Sequence, residues 1–72
     1  MNYGEWAVAY RKDANRILKV IEKKRNLLNE KHLSPDARKL LNDSMTAYRR
    51  IYRELLHTSR LLKNRGERYH EA

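Results

Sequence analysis

The chain has no cysteine. No disulfide can staple it, and no thiolate-based metal site can form. It has one proline, Pro35, and two glycines, Gly4 and Gly66, so little interrupts a helix. No apolar run approaches the roughly 20 residues of a membrane span, and no membrane association is expected. The opening residues MNYGEW lack a basic leader followed by an apolar stretch. No secretory signal is therefore expected, and the cytoplasm is the expected compartment. Acids are the scarce charge, 9 Asp+Glu against 17 Lys+Arg, for a formal net charge of +8. Such a surplus in 72 residues draws a chain toward polyanions, meaning nucleic acid, acidic proteins or anionic lipid. A domain of this size buries only about 60% of its unfolded surface. With neither disulfide nor metal to help, oligomerisation is the remaining common route to stability.

What fills the chain is helix formers, chiefly Ala, Leu, Lys, Arg and Glu. Ser34-Pro35-Asp36-Ala37 reads as a helix start. Ser34 is the N-cap, Pro35 sits at the first helical position, and Asp36 suits the positive end of the dipole. Gly66 follows Lys63-Asn64-Arg65 and reads as a helix stop. These marks predict an all-α single domain. The first helix covers about residues 5–31, the turn 32–34, the second helix about 35–65, and a frayed tail 66–72. A turn that short between two long helices makes an antiparallel helical hairpin.

The stretch TAYRRIYRELLHTSR, Thr46 to Arg60, mixes tyrosines with arginines. Turning each residue by about 100° separates them. Tyr48, Ile51, Tyr52, Leu55 and Leu62 fall within one apolar arc roughly 160° wide. The tyrosines are core residues with hydroxyls at the edge. An arc that wide exceeds what one antiparallel neighbour covers, so these residues also form the expected oligomer interface. The first helix brings its own stripe, from Trp6 and Tyr10 through Ile17, Val20 and Ile21 to Leu28. Two hairpins packed together give a homodimeric four-helix bundle. In outline this resembles the small hairpin-dimer RNA-binding regulators of plasmid copy number; the likeness lies in the architecture. Asp13 and Lys24 interrupt the first stripe. Either they reach water at its edges or they pair across an interface and fix its register.

The charges divide by flank. Pairing residue i with roughly 65 − i around the turn brings Lys12 near Glu54 and Lys23 near Asp43, as exposed cross-helix pairs. The opposite side keeps Arg11, Arg38, Arg49, Arg53 and Arg60, with only Glu22 against them. Arginine's planar fork suits phosphate. One functional reading is therefore a small nucleic-acid-binding protein, for RNA or DNA, with these five arginines as phosphate contacts. The other is an adaptor whose apolar arc binds another polypeptide. Catalysis is the weakest reading. Arg50 and His57 share an outward face, as general acid–base pairs can, but one Arg and one His on a basic helix meet by chance. No His/Asp/Glu set has metal-ligand spacing and no glycine-rich phosphate loop occurs, so no metal or cofactor is expected.

Overall fold

A computed structural model describes residues 2–30 and 32–71, with side chains as far as Glu67. The chain is an antiparallel hairpin of two helices, α1 (Tyr3–Leu28) and α2 (Pro35–Glu71). It forms a rod of 58 × 15 × 14 Å. Both helices start on a side-chain cap. Asn2 Oδ1 accepts the Glu5 amide at 2.8 Å, and Ser34 Oγ accepts the Ala37 amide at 3.2 Å. Each satisfies one of the amides that a first helical turn leaves without a partner.

The helices meet along a seam with a seven-residue period. Ala7, Ala14 and Ile21 are buried on α1, and Leu28 is half-buried. On α2 the alternation of four and three runs Leu41, Met45, Tyr48, Tyr52, Leu55, Ser59, Leu62, Gly66, every one buried or half-buried. A repeat of seven is the mark of helices coiled around one another with a left hand. Toward the open end the seam is lined by small residues, Ala7, Ala14, Ser59 and Gly66, and by larger ones, Ile21 and Met45, toward the turn. Near its open end the Ser59 hydroxyl donates to the Ala7 carbonyl at 2.7 Å, a buried bond from one helix to the other. At its end Gly66 lies against Gly4 and Tyr3.

Three sequence expectations are corrected. First, α1 ends at Leu28 and the connection covers 29–34, so the turn is longer than the expected 32–34. Lys31, the expected end of the first helix, lies outside the described residues. Asn29 closes α1, its amide donating to the Asn26 carbonyl and the Glu30 amide to that of Leu27. Second, Gly66 stops nothing. α2 continues to Glu71, and residues 66–71 of the expected tail are helical. Packing against α1 outweighs glycine's cost of about 1 kcal/mol in a helix.

The expected register of roughly 65 − i holds to within one residue, since the Ser59 hydroxyl bonds Ala7, where that rule puts Thr58. Third, the pairs Lys12–Glu54 and Lys23–Asp43 do not form. Among the described residues the ion pairs are Arg16–Asp13 at 3.5 Å and Arg50–Glu54 at 3.3 Å, each within one helix. In the seven-residue frame Lys12, Lys23, Asp43 and Glu54 sit about 150° from the seam. They lie on the outer backs of the two helices, where neither partner reaches across.

The Gly66 contacts make a test. A methyl built at Gly66 would meet the Gly4 nitrogen and Tyr3 Cβ at 3.5 Å, ordinary van der Waals distance, and no described residue has positive φ. Gly66→Ala should therefore stabilise the hairpin by about 0.5–1 kcal/mol, read from denaturant midpoints. A loss of stability would show that the two chain ends are already closer than this packing allows.

Candidate nucleic-acid interface and the uncovered apolar side

The seam divides the rod into two sides. On α1, Arg11, Leu18 and Arg25 lie about 50° to one side of the Ala7–Ala14–Ile21 line, and Tyr3, Tyr10, Ile17 and Lys24 about 50° to the other. On α2, Arg49, Leu56 and Lys63 flank the Met45–Tyr52–Ser59 line on one side, and Tyr48, Leu55 and Leu62 on the other. Two contacts fix which flanks share a side. The Lys24 ammonium stands 5.3 Å from the centroid of the Tyr48 ring. A groove of about 650 Å³ is walled by Val8 and Arg11 of α1 and by Lys63 and Glu67 of α2, over a floor of Gly4, Ala7, Ser59 and Gly66.

One side is therefore basic. Arg11, Arg25, Arg49, Arg53, Arg60 and Lys63 lie along it, all exposed. No carboxylate of a described residue comes within 4.0 Å of any of these six cations. Glu22 and Glu67 are the acids on this side. Arg49, Arg53 and Arg60 are spaced by roughly 6 and 10 Å along the axis at 1.5 Å per residue. Sequence reasoning missed Arg25 and Lys63. Their signal is the position four residues after a seam residue, legible only once the seven-residue frame is in place.

Arg38 is not part of that row. Its guanidinium donates to the carbonyls of Leu28 at 3.0 Å and Glu30 at 3.1 Å. It sits at the turn, on the seam line of α2, and satisfies carbonyls that the end of α1 leaves without amide partners. It is a clamp on the connection, a role the sequence hid because the two carbonyls lie eight and ten residues away.

The other side is apolar and half uncovered. Trp6 is 42% exposed, Tyr10 39%, Leu27 44% and Ile51 41%, with half-buried Ile17, Val20, Tyr48, Leu55 and Leu62 between them. Of the expected interface residues, Tyr48, Tyr52, Leu55 and Leu62 pack in the hairpin seam, while Ile51 stands at its rim. Asp13, Lys24 and Arg65 are the charges on this side. Asp13 is exposed and pairs with Arg16, so it reaches water at the edge. Lys24 crosses to Tyr48 instead, a cation–π contact worth about 0.5–1 kcal/mol where exposed.

The remaining polar residues stay apart. Arg50 bonds Glu54 on the outer back of α2, and His57 is exposed. Among the described residues no three His, Asp or Glu side chains stand close enough to hold a metal ion. No helix among them is long and apolar enough to cross a membrane. The chain matches no protein-family model, and no curated protein or solved structure is found similar to it.

The clamp is testable by itself. Arg38→Ala should cost about 1 kcal/mol and raise amide exchange in residues 29–34 more than in the middle of either helix. Arg38→Lys, which lacks the planar fork, should recover less than half of the loss. Full recovery by lysine would show that charge alone, and not the two-carbonyl geometry, holds the turn.

Proposed function

We propose that this is a small nucleic-acid-binding protein that contacts phosphates through its basic side. The observation that carries the reading is the one-sided row of Arg11, Arg49, Arg53 and Arg60, exposed and free of carboxylate partners among the described residues. Arg25 and Lys63 extend it. Guanidinium groups left without carboxylates keep their forks open for phosphate oxygens. A rigid helix pair holds them at fixed spacing, so less side-chain order has to be imposed on binding. Such contacts give affinity and steering with little sequence information. Among the described residues the row has no exposed aromatic beside it on which bases could stack, which favours duplex backbone over single strands.

The same reading includes a homodimer through the apolar side. That side runs about 35 Å along two helices roughly 20 Å across, or about 700 Å² per copy. A stable protein interface buries about 800 Å² per partner. Charge supports the choice of a second copy on this side. Packing basic side on basic side would set six cations against six, whereas packing apolar side on apolar side turns all of them outward. The second reading, an adaptor for another polypeptide, rests on the same exposed Trp6, Tyr10, Leu27 and Ile51. A foreign amphipathic helix would cover them equally well.

The test compares two pairs of substitutions that remove the same charge. Arg49→Gln with Arg53→Gln should leave helix content unchanged and weaken duplex binding about tenfold or more at moderate salt. The slope of log K against log salt should fall by about one unit per lost contact. Lys12→Gln with Lys23→Gln removes two cations from the back of α1 and should change binding by less than about threefold. Equal losses in both pairs would reduce the interaction to diffuse charge. A wild type that binds no duplex at low salt would leave the adaptor reading.

A further inference from the structure

The basic and apolar sides lie on opposite faces of one rod, and this has a consequence for the dimer that rests on the reading above. An isologous pair has a two-fold axis lying in the plane of the interface. Such an axis reverses the outward direction of whatever faces away from that plane, along whichever in-plane line it runs. If the apolar sides meet, the two rows of Arg11, Arg49, Arg53 and Arg60 must point in opposite directions. We propose that the dimer bridges two separate nucleic-acid duplexes, one on each outer basic side.

The dimensions allow it. The two outer sides would be separated by two helix layers, about 20 Å. That is more than two Debye lengths at physiological ionic strength, so repulsion between the two bound duplexes is largely screened. A row of cations on each side, following helices that lie nearly parallel, presents each duplex with one straight edge. No cation of the row has to serve both duplexes. The second duplex therefore meets an unoccupied side and is bound with an affinity close to that of the first. A monomer, or a dimer joined through any other surface, lacks this back-to-back arrangement.

The experiment immobilises one duplex and asks whether the protein retains a second, fluorescently labelled duplex of unrelated sequence. The mass of the soluble complex is measured in parallel, to separate bridging from aggregation. Wild type should retain the labelled duplex, and the complex should contain two protein chains and two duplexes. Ile51→Glu and, independently, Leu27→Lys place a charge on the apolar side at residues 41% and 44% exposed, where the hairpin itself tolerates it. Each variant should remain helical, sediment as a monomer, still bind a single labelled duplex, and retain at least about tenfold less of the second one. Wild type that binds one duplex but retains no second overturns bridging while leaving nucleic-acid binding in place. Variants that are monomeric yet bridge as well as wild type overturn the back-to-back dimer as the cause. Wild type that binds no duplex overturns the phosphate reading and bridging together.

Discussion

Everything in this molecule depends on how narrow its seam is. Ser59 reaches the Ala7 carbonyl at 2.7 Å from the opposite helix, with Ala14 fully buried nearby in sequence register and Gly66 against Gly4 at the open end. Small residues at that end contribute little apolar area of their own, and Ile21 and Met45 are the large apolar side chains buried among the described residues. The other large apolar residues of the seam and its flanks are covered only in part by the partner helix. The hairpin leaves one side half covered, with Trp6, Tyr10, Leu27 and Ile51 exposed; the proposed second copy is what would cover them.

The same constraint sorts the charges. Because the seam takes a seven-residue frame, residues four places after a seam position fall beside it on one flank, and residues three places after fall on the other. Arginine occupies the first set repeatedly, at 11, 25 and 49, with Lys63, and apolar residues occupy the second. Charge and apolarity are therefore segregated across the rod, not merely around each helix. Lys24 is a cation set three places after a seam residue, and the Tyr48 ring takes it up.

Much of this was legible in the sequence. Ser34 and Pro35 announce the start of α2 because N-capping is local, and the hydroxyl bonds the Ala37 amide as expected. The segregation of Arg49 and Arg53 from Tyr48 and Tyr52 needs only the helical period. The errors occurred where a distant contact overrides a local rule. Gly66 carries the local marks of a stop, yet α2 runs on through it, packed against Gly4 and Tyr3 of α1. The end of α1 has no local marker, because the group that completes it, Arg38, belongs to the next helix. The cross-helix ion pairs were expected from flanks drawn on an ideal helix. The coiled frame rotates Lys12, Lys23, Asp43 and Glu54 onto the outer backs. Arg25 and Lys63 were overlooked for the same reason in reverse.

The central claim is that the two sides of one rod do different work, with phosphate on the arginine side and protein on the tryptophan side. Side-chain-resolved nuclear magnetic resonance, titrating a short duplex into the protein at moderate salt, tests it in one measurement. The account predicts that the guanidinium signals of Arg11, Arg49, Arg53 and Arg60 shift together and saturably, while the Trp6 indole and the Ile51 methyls do not move. Shifts concentrated on Trp6 and Ile51, or spread evenly over all the cations including Lys12 and Lys23, would contradict it.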